Sequence, residues 1–102
     1  MFRIKVIGIA DSLLSTRHYS LLTDCLLVVG AERMRDMATD FADRYLSITP
    51  LQTSLARIRA SLEHGNVAVL ASGDPLFYGI GRKLLAEFGE NKVEFFPALS
   101  SI

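Results

Sequence analysis

Apolar residues in this chain fall into two alternating patterns: short continuous runs, and longer stretches with apolar positions three and four apart. Val67 to Ala71 and Cys25 to Val29 are wholly apolar, the signature of strands buried on both faces of a parallel sheet. Phe2 to Ile9 reads as a first strand. Lys92 to Phe96 mixes Lys92 and Glu94 with Val93, Phe95 and Phe96, and Arg44 to Ile48 is the most polar of the set, which suits an edge. With helical patterns between them the order is βαβαβαβαβ, which predicts a doubly wound α/β sheet with helices on both faces.

Boundary residues sharpen the helices. Ser15 is placed to cap the first, with Leu14 and Tyr19 as a hydrophobic staple. The second spans about Arg33 to Asp43 and turns Met34, Met37, Ala38 and Phe41 to the core, leaving Glu32 and Arg33 as a solvated start. Thr49-Pro50-Leu51-Gln52 predicts an N-cap at Thr49, proline at the first helical position and a capping-box glutamine at the third, followed by Leu55, Ile58 and Leu62 on one face. Gly65 ends that helix. A fourth runs from Pro75 to Phe88, burying Leu76, Ile80, Leu84, Leu85 and Phe88, with Asp74 as its N-cap and Gly89 as its C-terminal stop. Gly79 and Gly81 each cost about 1 kcal/mol relative to alanine inside it, so either something approaches the helix closely or the helix packs tightly on its own sheet.

Composition mostly excludes. At 102 residues the chain is one domain, and eleven basic against eleven acidic residues leave no net charge to attract a nucleic acid. No apolar run approaches the roughly 20 residues of a membrane span, and the start lacks the pattern of a secretory signal, so a cytoplasmic protein is expected. Cys25 cannot form an internal disulfide and reads as a buried, inert thiol. His18 and His64 stand apart from any Cys/His cluster and are expected on helix surfaces; no metal site is predicted. A dinucleotide fold would need three glycines after the first strand, where this chain has Gly8-Ile9-Ala10-Asp11-Ser12, and neither a P-loop string nor a nucleophile elbow is present.

What remains is the turn Ser72-Gly73-Asp74-Pro75-Leu76-Phe77-Tyr78-Gly79, placed where a buried strand hands over to a helix. Open α/β sheets bind ligands outside the carboxyl ends of their strands, so this turn is a candidate ligand floor as well as a capped junction. Together with Val6-Ile7-Gly8-Ile9, Leu27-Val28-Val29-Gly30 with Arg33 after it, and Pro97-Ala98-Leu99-Ser100-Ser101, it resembles the amino-terminal domain of the tetrapyrrole methyltransferases over nearly the whole chain. Within that family the turn is most similar to enzymes of the cobalamin pathway that methylate precorrin-6Y at carbons 5 and 15, or to their cobalt-pathway counterpart acting on carbon 5.

The resemblance implies a five-stranded parallel sheet in the order 3-2-4-1-5, with residues 1–102 as the first of two domains. It implies S-adenosylmethionine as methyl donor and a precorrin as substrate. The donor would lie folded in a cleft completed by a carboxy-terminal domain or a partner chain, with the full enzyme a homodimer. Donor contacts fall on Asp11, Ser72, Gly73, Asp74, Phe77, Ser100 and Ser101, and substrate contacts on Gly8 and Asp11. No residue stands out as a general base, since the donor already carries an activated methyl and the protein must chiefly orient the reactants.

A pocket bounded by Gly8, Asp11, Ser72, Gly73 and Phe77 is therefore expected, beside an exposed apolar patch at Phe77, Leu99 and Ile102. The chain departs from its relatives where Ala10 and Asp11 shorten a glycine- and proline-rich loop, where Ala31 follows Gly30, and where Ala98 replaces a glycine. Two other readings stay open: a half-domain that binds a tetrapyrrole or docks a partner without turnover, and a sister methylase acting on another corrin intermediate.

Overall fold

The computed structural model describes residues 2–10 and 14–98, the side chains of 74–76 excepted. Five parallel strands, β1 (Ile4–Ile9), β2 (Cys25–Gly30), β3 (Tyr45–Ser47), β4 (Asn66–Ser72) and β5 (Val93–Phe96), form one sheet in the order β3-β2-β4-β1-β5. The expected order and the edge position of β3 are both observed. Register runs from Ile4 opposite Val67 to Ile9 opposite Ser72, so the ends of β1 and β4 lie side by side.

Helices α2 (Leu51–Ser61) and α3 (Asp74–Phe88) cover one face, where Leu55, Ile58, Phe77 and Leu84 pack on Ile4, Val6, Val29 and Val69. On the other face, helix α1 (Thr16–Leu22) and the segment Glu32–Arg44 lay Leu22, Met34, Ala38 and Phe41 on Ile7, Val28, Ala68 and Leu70. The two-sided cover is why β4 reads as an unbroken apolar run, as β2 does from Leu27 on; Leu26, before that cover begins, is 49% exposed.

Ser15 caps α1 as expected and completes a capping box with His18, and Leu14 and Tyr19 both join the core of that face. Three expectations change. Glu32–Arg44 is a 3₁₀ segment with non-helical backbone at Ala38 (φ −111°, ψ 35°) and Phe41 (φ −117°, ψ 21°), because its apolar positions are seated one by one on a twisted sheet. Helix α2 begins at Leu51 with Pro50 at the N-cap, and no capping box forms: Thr49 turns its hydroxyl toward that of Ser47, 3.4 Å away. The fully buried Ser54 hydroxyl has its single proton shared between the carbonyls of Ile48 and Leu51, both at 2.9 Å. His64 lies in the turn after α2, where its amide donates to the Ser61 carbonyl.

The two helix glycines separate the alternatives that their spacing left open. At Gly81 an added Cβ would collide with the Phe95 ring, so this glycine serves the close packing of α3 on β5; at Gly79 nothing stands within 4 Å. Among the described residues no helix is long and apolar enough to cross a membrane.

Two acidic protons are held by burial. The Cys25 thiol, 3.3 Å from the Leu21 carbonyl, is pushed up to about 12 by desolvation. The Tyr45 phenol, donating to the Ala31 carbonyl at 2.6 Å, is likewise pushed up to about 12 by desolvation. Both groups ionise more readily in the unfolded chain, near 9 and 10, so their contribution to stability is complete below pH 9 and is lost as pH rises toward 12. The urea midpoint should therefore decline progressively above pH 9, and a Cys25→Ala/Tyr45→Phe variant should decline less steeply; parallel curves would refute the assignment.

Candidate functional site at the carboxyl end of the central strand

Chain direction at the end of β4 is set by Gly73, whose φ of 83° and ψ of 148° place it where side-chain-bearing residues are strained. Its carbonyl accepts the first helical hydrogen bond, from the Phe77 amide at 3.0 Å. Gly73 is thus the N-cap and Asp74 the first helical residue, which corrects the expected cap at Asp74 by one position. The side chain of Asp74 lies outside the described residues, as do that of Leu76 and the whole of Asp11, Leu99, Ser100, Ser101 and Ile102.

Between β1 and β4 a hollow of about 250 Å³ is lined by Gly8, Ile9, Ala10, Gly73, Phe77 and Ala98. Gly8 allows the chain leaving β5 to cross here: an added Cβ would stand 2.7 Å from the Ala98 nitrogen and 3.3 Å from Phe77 Cδ1. Phe77 forms the inner wall, only 3% exposed, with its ring edge-on to Tyr78 at 5.2 Å and to Phe95 at 5.7 Å. The expected exposed patch is therefore absent at Phe77, whose neighbours cover it; Tyr78, 61% exposed, is the aromatic that faces outward. None of the six lining residues titrates. Its described lining can admit, orient and desolvate a ligand.

Ser72 does not join this hollow. Its hydroxyl accepts a 2.7 Å hydrogen bond from the Arg33 guanidinium across the neighbouring β2–β4 gap, where a second cavity of about 460 Å³ opens. Arg33 is carried there by a chain of contacts. Gly30 leaves room for the Tyr45 hydroxyl, which an added Cβ would approach to 2.6 Å, and that hydroxyl holds the Ala31 carbonyl. Arg35 lies 4.9 Å over the Tyr45 ring and pairs with Glu32 at 2.8 Å. This ion pair holds the Glu32 carboxyl below its usual range.

Of the residues singled out in the sequence, Gly8, Gly73 and Phe77 come together, while Ser72 stands one residue away in the adjoining cavity. Arg33, read as part of a solvated helix start, is exposed, and its guanidinium also reaches the site region at Ser72. The signal for it was the strand order: with β2 beside β4, a residue three past Gly30 falls next to the end of β4. Among the described residues no three His, Cys, Asp or Glu side chains gather as a metal site would require.

Comparison with known proteins places this geometry in context. A family model described as Tetrapyrrole (Corrin/Porphyrin) Methylases matches residues 7–102. The cobalt-precorrin-7 C(5)-methyltransferase of Salmonella typhimurium is 50% identical over 76 residues, covering 74% of this chain and 37% of the relative. The decarboxylating precorrin-6Y C(5,15)-methyltransferase of Mycobacterium tuberculosis is 33% identical over 104 residues, covering 97% of this chain and 26% of the relative. The chain thus spans between about a quarter and two fifths of these relatives' lengths. No solved structure matches it significantly.

The Gly8 crossing can be tested directly. Gly8→Ala forces a Cβ against backbone, where relief requires moving the segment after β5, and should cost about 1–3 kcal/mol in a urea titration. A loss below about 0.5 kcal/mol, the scatter of ordinary surface substitutions, would show that this segment yields freely.

Proposed function

Because the chain belongs to the tetrapyrrole (corrin/porphyrin) methylases, we propose that it is the amino-terminal domain of an S-adenosylmethionine-dependent methyltransferase that methylates ring carbon 5 of a precorrin in cobalamin biosynthesis. The observation that carries the site assignment is the β1–β4 hollow, where Gly73 bares the backbone at the carboxyl end of β4 beside the Phe77 wall and Gly8 admits the chain that crosses after β5.

The residues present fit such a donor. The bare Gly73 backbone and the Phe77 wall allow close approach, and the absence of titratable groups among the described lining residues suits a cofactor that brings its own chemistry, an electrophilic methyl on a sulfonium. Phe77 and Gly73 would hold and orient it. Asp11, Asp74, Ser100 and Ser101 are assigned to the same cleft on family resemblance, with Gly8 and Asp11 toward the substrate. The domain's task is alignment and exclusion of water around the reacting carbon.

Size supports a shared cleft. A hollow of 250 Å³ falls below the roughly 300–1,000 Å³ of complete small-molecule sites, so this domain holds only part of the donor. The remainder of the cleft belongs to a second domain, consistent with relatives of which this chain covers 37% and 26%. The full enzyme works in the cytoplasm as a homodimer.

The reading is tested with donor labelled in the transferable methyl and cobalt-precorrin-7 as acceptor, using the full-length protein that contains this domain. Carbon-13 NMR should place the label on ring carbon 5. Label on another ring carbon would make the protein a sister methylase, and no label would overturn the enzymatic reading. For residues 1–102 alone, calorimetry with S-adenosylhomocysteine should give a dissociation constant weaker than about 100 μM, since much of the ligand stays in water; submicromolar binding would refute the shared cleft.

A further inference from the structure

Two crevices open at the carboxyl end of β4. Helix α3 leaves β4 toward one face, while the connections after both neighbours, β1 and β2, leave toward the other. Such reversals are where open α/β sheets bind ligands. The β1–β4 crevice is the donor hollow of the preceding reading. The β2–β4 crevice, about 460 Å³, is the larger and lies within the range of complete small-molecule sites.

Its construction is chemically distinct. Met34, Ile48, Leu51 and Ile80 supply an apolar floor, and Arg33 and Lys83 stand among its lining with Ser72. Arg33 and Lys83 are both exposed and, like Arg3, Arg17, Arg57, Arg82 and Lys92, show no carboxylate partner among the described residues. Arg33 is nonetheless held in place, its guanidinium fixed by the neutral Ser72 hydroxyl at 2.7 Å. On the α3 side the wall is opened by Gly79, where a side chain would meet nothing within 4 Å.

We propose that the β2–β4 crevice is a second small-molecule site, for an apolar-bodied carboxylate whose anionic end lies between Arg33 and Lys83 and whose body rests over Gly79. Arg33 and Lys83, both exposed, stand on the same apolar-floored crevice and can meet one anion together, and the planar guanidinium favours a carboxylate held by two parallel hydrogen bonds. A purely ionic ligand such as free phosphate would leave the apolar floor unused. The proposal stands on this crevice alone and does not depend on methyl transfer in the other.

The probe is 1-pyrenebutyrate, a fluorescent carboxylate with a flat apolar body, with its methyl ester as the uncharged control, titrated against this chain. The acid should bind about 10-fold or more tightly than the ester, the value of one charge-assisted hydrogen bond. Arg33→Met and Lys83→Met should each remove much of that preference without weakening the ester. Gly79→Leu, which replaces a poor helix former with a good one, should keep the fold by circular dichroism and block both probes. Equal binding of acid and ester, undiminished binding to the Gly79→Leu variant, or displacement of the acid by millimolar inorganic phosphate would each overturn the proposal. S-adenosylhomocysteine binding to the full-length protein is measured in parallel. Its failure alone would remove the donor reading and leave this site standing, while failure of the pyrene series alone would do the reverse.

Discussion

Residues Val67 to Ala71 of β4 are each no more than 4% exposed, and the strand is paired along both edges, so every side chain on it must be covered from its own face of the sheet. That requirement organises the molecule. The chain first moves from β1 through β2 to β3 in one direction, with its connections on one face. It then inserts β4 between β2 and β1 and moves on to β5 in the other direction. Because parallel crossovers are right-handed, reversing direction transfers the connections to the opposite face. Cover for both faces of β4 and crevices on both sides of its carboxyl end therefore have the same cause.

This also explains what the sequence could and could not convey. Strands buried on two sides announce themselves as apolar runs, as Val67–Ala71 does throughout and Cys25–Val29 does apart from the exposed Leu26. Strand order is a long-range property that periodicity does not carry; it came from family resemblance and is observed in the sheet. The misreadings lie where tertiary contacts override local preference. Met34, Ala38 and Phe41 fit a helical face, but their contacts with the sheet draw the segment into 3₁₀ geometry broken at two residues. At Thr49 a local hydroxyl partner competes with the cap, and at Gly73 a positive φ ends the strand one residue before the aspartate that looked like the natural start.

The glycines show how a motif residue can be explained without invoking a ligand. Gly81 answers to Phe95 and Gly30 to the Tyr45 hydroxyl, both contacts within the fold. Gly30 still bears on the site, since room for that hydroxyl fixes Ala31 and so determines where Arg33 can reach. Gly79 is different in kind: it is exposed, the surrounding protein leaves its space open, and it lines the β2–β4 crevice.

Ser72 and Gly73 are consecutive, yet they face different chemistry. The Ser72 side chain belongs to the β2–β4 crevice with Arg33, whereas Gly73 lines the β1–β4 hollow. The peptide between them is a common wall, and it is held on one side by the Arg33 guanidinium and on the other by the first hydrogen bond of α3. One turn thus builds both crevices, giving the Ser72 side chain to one and the bare Gly73 backbone to the other.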